Sequence, residues 1–228
     1  MHTQTLLPGI IFALGFLIGA PGAFAQNNPP PAGNVIYSLT GQTMSGTYQE
    51  GTADFIATEA STDISFAIRE DPAYIELSDI SLVDLTAGSG NLLTNGDFSG
   101  STYSSAGGLP QPDGWNYLNI YNATASGRVL GDCGVTANGN CYYDGSVGSY
   151  DAIDQAVATT IGDAYQISFY YLDTDANSIY APQGDGTGRD MFVYAGDAPT
   201  AAVPEPASIA IFAAGLLGLA AVQRRRML

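Results

Sequence analysis

Carboxylates are the only side chains charged at neutral pH that this 228-residue sequence supplies in number. Its 22 Asp and Glu stand against six arginines, no lysine and one histidine, His2. A Ser-His-Asp triad, a Cys-His pair, a His-rich metal site, a Ser-Lys mechanism and a Schiff base therefore each lack a component. What remains is carboxylate chemistry, and glycoside cleavage needs only two carboxyl groups at the correct separation. So many acids bring some pair together in any fold, so their number is no argument, and the expectation is a protein that is not an enzyme. Cys133 and Cys141 stand eight positions apart in "GDCGVTANGNCYYDG". With no further His or Cys to complete a zinc site, the two are expected to form a disulfide. Closing so short a loop contributes about 2–3 kcal/mol in the chain-entropy model, enough to pin a loop but not to hold a fold together.

The aromatic residues suggest binding. Trp115, Tyr117 and Tyr121 lie close together, and Tyr142 and Tyr143 follow the second cysteine. Sugar rings dock their apolar C–H faces on aromatic rings while Asp, Asn and Gln bind the hydroxyls. Trp115, Tyr117, Tyr121 and Tyr143 are accordingly the candidate ligand-binding residues, with a place in the core as the competing reading of Trp115. In "DTDANS", Asp173, Asp175 and Asn177 alternate like the first half of an EF-hand loop. Position six is Ser178 and position twelve is Gly184, so a solvated turn is expected there.

The elements that must position these residues read as strands. In "DISFAIR", Ile64, Phe66 and Ile68 share one face, and in "YQISFYY" Tyr165, Ile167, Phe169 and Tyr171 do the same. Period-two stretches recur at "TADFIATEA", "YIELSDISLVDL", "DAIDQAVATT" and "DMFVYA", separated by Gly, Asn, Asp and Pro clusters. No internal segment combines helical periodicity with caps and length. The fold class is all-β: a single antiparallel β-sandwich of two packed sheets, flanked by an N-terminal signal helix and a C-terminal transmembrane helix.

The two ends carry addresses. Residues 1–25 have an apolar stretch and an Ala-x-Ala site ending at Ala25, the plan of a secretory signal peptide. A Pro-rich spacer, 26–33, leads into the sandwich domain, 34–198, and a linker, 199–206, follows. The segment 207–223 is read as a transmembrane helix, short for a bilayer, and 224–228 as its basic cytoplasmic tail. Arg224, Arg225 and Arg226 are half of all the basic residues, leaving Arg69, Arg128 and Arg189 in the domain. Such an acidic domain disfavours DNA, RNA and anionic membrane surfaces, so no nucleic-acid partner is expected.

"VPEPASIAIFAAGLLGLAAVQRRR" resembles the PEP-CTERM sorting signal of Gram-negative bacteria, with Pro204-Glu205-Pro206, the apolar run and the arginine cluster in order. The resemblance implies export through the inner membrane, a transient anchor there, processing by an exosortase-type enzyme, and display at the cell surface or in the extracellular matrix. It also implies a setting of exopolysaccharide and biofilm, with extracellular polysaccharide as a partner. A second resemblance joins "NLLTNGDFSG", "PDGWNY" and "DAIDQAVATTIGDAYQISFYY" to the opening half of galactose-binding-like jelly-roll domains. The closing half lies earlier in the chain, in "ADFIATEASTDISFAIREDPAYIELSDISLVDL". This order suggests a circular permutation joined at "TAGSG", Thr86 to Gly90, or else two incomplete domains in tandem. The jelly-roll resemblance implies no required cofactor but a possible structural calcium, with Asp97 and Asp79 as its oxygen donors. A non-catalytic protein that binds or organises extracellular carbohydrate is the expected function. A purely structural or adhesive matrix protein, and more distantly a carboxylate-only glycoside-acting enzyme, are the alternatives.

Overall fold

A computed structural model describes residues 30–40, 45–70, 73–101, 111–121, 123, 127–135, 139–174 and 189–201. The expected signal helix, transmembrane helix and arginine tail fall outside these residues, as do Asp175 and Asn177. Among the described residues there is no helix long and apolar enough to cross a membrane.

Ten strands follow one another: β1 (Val35–Thr40), β2 (Gln49–Ile56), β3 (Ser61–Glu70), β4 (Ile75–Asp84), β5 (Asn116–Leu118), β6 (Arg128–Gly131), β7 (Asn140–Asp144), β8 (Asp151–Ala158), β9 (Ala164–Asp173) and β10 (Arg189–Gly196). They form two five-stranded antiparallel sheets, ordered β1-β10-β3-β8-β5 and β2-β9-β4-β7-β6. The segments read as two halves do not form separate sheets. The early strand β3 lies between the late strands β10 and β8, and the late strand β9 lies between the early strands β2 and β4. "TAGSG" is a tight reversal after β4. There Asp84 Oδ1 accepts from the backbone N–H groups of Thr86 (2.8 Å) and Ala87 (2.7 Å), satisfying donors that a sharp turn would otherwise orphan.

Alternation builds the core. β9 is buried at every second residue, Tyr165, Ile167, Phe169, Tyr171 and Asp173, and its four apolar members share a core with Ile64, Phe66 and Ile68 of the other sheet. The Phe66 and Phe169 rings cross edge-to-face at 5.1 Å, a geometry that aligns ring edge with ring face. In β4 the inward positions Ile75 and Leu77 give way to Ile80 and Leu82, a phase slip made possible by a bulge between Ser78 and Ser81. Asp79 sits in that bulge at φ 50°, a left-handed conformation that Asp tolerates. Beyond the bulge the chain of residues 91–98 runs back along β4, with Leu92 N–H donating to Leu82 O and Ile80 N–H to Gly96 O. Gly96 is required at this contact, because a Cβ would stand 2.0 Å from the Ile80 carbonyl oxygen.

The first sheet is also covered on its outer face. Ala67, Tyr150, Ala152, Phe192 and Tyr194 form a second apolar cluster, against which Leu118, Ile120 and Tyr121 pack. At one end of the body the chain enters and leaves side by side, with Ala32 and Thr200 exchanging two backbone hydrogen bonds of 2.8 and 3.1 Å. β3 runs from that end to the opposite one, where Glu70 N–H bonds the Ser146 carbonyl at 3.0 Å.

Candidate functional site

The sequence-derived aromatic candidates do not converge. Trp115 is 1% exposed; its ring lies against Phe66 and Phe98, and its indole N–H donates to the Asn95 carbonyl at 3.2 Å. It is a core residue and offers no face to a ligand, because filling the interior outweighs what an exposed Trp would gain. Tyr117 lies on β5, with its hydroxyl donating to Asp151 Oδ2 at 2.9 Å. Tyr121 belongs to the cluster on the outside of the first sheet, and Tyr143 lies on the second sheet. Closeness in sequence did not become closeness in space, since strand alternation and a change of element sent neighbours to different faces.

Tyr143 has found other company. Adjacent residues in a strand point to opposite faces, so buried Tyr142 leaves half-buried Tyr143 on the outer face of β7. Its ring stacks on Tyr74 at 4.1 Å with the planes 21° apart, and the Arg128 guanidinium stands 5.5 Å from its centre. Register explains the group: Arg128 of β6 and Glu76 of β4 both lie directly opposite Tyr143. Tyr74, just before β4, is the exposed member at 38%. Its approach needs Gly145, where a Cβ would lie 2.5 Å from the ring. Tyr48 donates a short hydrogen bond to Glu76 and accepts one from Gly134 N–H at 2.6 Å. Burial, and then the bond to Glu76, holds the Tyr48 phenol above its ordinary range, so it remains a neutral donor. The result is an outward-facing row of two tyrosines, a guanidinium and a carboxylate. Tyr74, Glu76, Tyr48 and Arg128 were missed as site residues, although the alternation of "YIEL" and of "CYYD" puts Glu76 and Tyr143 outward.

The disulfide Cys133–Cys141, with Cα atoms 5.5 Å apart, ties the loop after β6 to β7 beside this row. Gly134 follows the first cysteine, and its N–H is the donor that holds Tyr48. Replacing both cysteines by serine is expected to lower the unfolding free energy by about 2–3 kcal/mol. Urea unfolding followed by circular dichroism measures this; a loss below about 0.5 kcal/mol would mean that the loop is pinned by other contacts.

Asp79 and Asp97, the candidate calcium donors, line one open depression of about 350 Å³ with Asn91 and Asn95. Both carboxylates already have protein partners. Asp79 Oδ2 accepts from Ser78 Oγ at 2.9 Å, and Asp97 Oδ1 accepts from Ser99 N–H (3.1 Å) and Ser99 Oγ (2.9 Å). Asp173, expected in a solvated turn, is instead wholly buried at the end of β9. Among the described residues no three His, Cys, Asp or Glu side chains gather as a metal set.

A different pair is more unusual. Asp144 at the end of β7 and Asp151 at the start of β8 are both fully buried and abut one another. Burial, and then the facing charge of Asp151, pushes the Asp144 carboxyl well above the usual range. Burial also raises Asp151, against the hydrogen bonds from Ser146, Asp144 and Tyr117 that favour its ionised form.

Comparison with curated proteins and with solved structures gives no match. Comparison with protein-family models matches the PEP-CTERM protein-sorting motif at residues 202–226, a span that holds Pro204, Glu205, Pro206, Arg224, Arg225 and Arg226. The chain thus carries a PEP-CTERM sorting motif, which implies export, handling by an exosortase-type enzyme and a place in the cell envelope or at its surface.

Proposed function

We propose that this exported, surface-sorted protein binds extracellular carbohydrate through the outer face of its second sheet and has no catalytic role. The observation that carries the reading is the Tyr74–Tyr143 stack, flanked by Arg128 and Glu76 and open to solvent at Tyr74. An exposed ring gives a sugar an apolar platform, and the adjoining guanidinium and carboxylate supply a donor and an acceptor for its hydroxyls. The body is a β-sandwich that we read as a permuted relative of galactose-binding-like jelly rolls, a reading supported by the mixing of early and late strands in both sheets. In the non-catalytic reading, the Asp144–Asp151 pair is too buried to reach a glycosidic bond, which requires two carboxyl groups flanking an accessible cleft.

A glycan array, and electrophoresis through gels containing the native exopolysaccharide, test the proposal on the chain shortened to residues 26–202. Tyr74→Ala and Tyr143→Ala are each expected to weaken retention about tenfold, equivalent to about 1.4 kcal/mol. Retention unchanged in both variants would move the binding face elsewhere. Absence of retention on any glycan would leave a structural or adhesive matrix role as the better account.

A further inference from the structure

The end of the body at which the chain enters and leaves carries an apolar row that the fold leaves open. Ile56, at the end of β2, and Leu85, just after β4, flank Ala164 at the start of β9. Ile56 is the register partner of Ala164, and Leu85 N–H donates to the Ala164 carbonyl at 2.8 Å. The three share the outer face of the second sheet, because their strand neighbours Phe55, Asp84 and Tyr165 point inward. Ile161, at the tip of the turn between β8 and β9, adds to the row, since Gly162 beside it bonds Ala57 beside Ile56 at 2.9 Å. Ile56, Leu85 and Ile161 are 59%, 50% and 65% exposed. The turn is held in place: Ala57 N–H bonds the Asp163 carbonyl at 3.0 Å, and the Thr159 hydroxyl donates to the Glu59 carbonyl at 2.7 Å. A single exposed Ile is ordinary, whereas three large apolar side chains gathered on a fixed surface mark a contact.

The connection to the rest of the chain says what lies opposite. Thr58 and Glu59, which follow Ala57, line one depression with Ala32 and Thr200. The matched sorting motif begins at residue 202, and its uncharged run, 207–222, starts after only six residues, 201–206. Six residues reach at most about 20 Å, so an anchored run keeps this end of the body close to the bilayer. We propose that the row is a membrane-facing foot: while the run is anchored, Ile56, Leu85 and Ile161 rest in the interface of a zwitterionic phospholipid leaflet. Three side chains are too few to hold a free protein on a membrane, but the short tether makes the contact intramolecular, at high effective concentration. Charge selects the lipid. Glu59, Asp163 and Asp197 surround this end, whereas Arg69 lies near the far end of β3, Arg189 opposite Glu70 and Arg128 opposite Tyr143. An anionic leaflet would therefore be repelled. A second copy is a poorer fit to the row, which offers far less than the ~800 Å² per partner of a stable dimer.

The test uses the full chain reconstituted into phosphatidylcholine vesicles, with an environment-sensitive fluorophore on Ile161→Cys. Its emission should shift to the blue and be quenched by brominated acyl chains. Quenching should be severalfold stronger than for the same probe on Val147→Cys, an exposed position in the loop between β7 and β8 at the opposite end. Replacing Ile56 and Leu85 together by Ser, at positions where the fold buries little, should weaken the quenching severalfold, and adding phosphatidylglycerol should weaken it as well. Resistance to alkaline carbonate extraction shows that the anchor is in place. Equal quenching of the Ile161 and Val147 probes on chains that resist extraction overturns the proposal. So does a blue shift without bromolipid quenching that grows with protein density, which marks a second copy on the row. Chains that carbonate extracts completely overturn it too, because the motif then provides no anchor.

Discussion

Trp115→Ala is expected to destabilise the folded body by about 3–5 kcal/mol, the largest loss for any single side chain considered. Domains of this size are typically stable by about 5–15 kcal/mol, so the variant should sit near the edge of folding. Two causes combine. The indole fills the space between Phe66 and Phe98, and little can collapse into it, since Phe66 is held by Phe169 and Phe98 by Tyr142. Its N–H also satisfies the carbonyl of Asn95, a residue at φ 52° whose side chain bonds Ser101, Asp113 and Gly100. Trp115→Phe separates the causes. It retains most of the apolar contact and loses the hydrogen bond, so a cost of about 1–3 kcal/mol is expected. Urea unfolding by circular dichroism measures both. A loss below 1 kcal/mol for the Ala variant would show that Trp115 is not the keystone of its loop.

Replacing Arg224, Arg225 and Arg226 together by Gln should leave the folded body untouched and impair its sorting. The three charges are half of the chain's basic residues, and they fall within the matched motif. Cationic residues next to an apolar run set its orientation, because they resist transfer across the membrane. Without them the matched motif loses its basic element. Immunoblotting for precursor and product, with surface labelling of intact cells, should show a severalfold fall in displayed protein. Unchanged display in this variant would refute the sorting role of the arginines. The two predictions separate address from architecture: one variant folds but goes astray, the other keeps its address but folds marginally.

The sequence made some strands legible and left others obscure for physical reasons. In β3 and β9 one face is deeply buried over ten residues, so Ile64, Phe66, Ile68 and Tyr165, Ile167, Phe169 stand out at period two. The bulge in β4 goes unread when "YIELSDISLVDL" is treated as one period-two stretch, although its apolar phase changes between Leu77 and Ile80. β8 is less transparent, because Ala152 and Asp154 on its other face are buried as well as Ile153 and Gln155. The short strands β5, β6 and β7 have too few residues to show a period. The site was harder still. Tyr74, Tyr143, Glu76 and Arg128 meet only because β4, β7 and β6 lie side by side, and no local pattern announces the strand order. Asp144 and Asp151 follow no motif; they meet because the chain reverses between β7 and β8.

The bridge between Ala32 and Thr200 gives the molecule a direction. Both ends of the described body leave from one pole, so a precursor anchored through its sorting motif would stand on that pole. β3 runs away from it for ten residues, about 33 Å at strand rise. Glu70, Tyr74, Asp144 and Asp151 lie at that far end. The tyrosine stack would then face outward in a precursor anchored through its sorting motif, and removal of that motif would alter nothing within reach of the stack. On the proposed reading, maturation would change where this surface travels without changing its shape, so a matrix carbohydrate could be engaged before release as well as after.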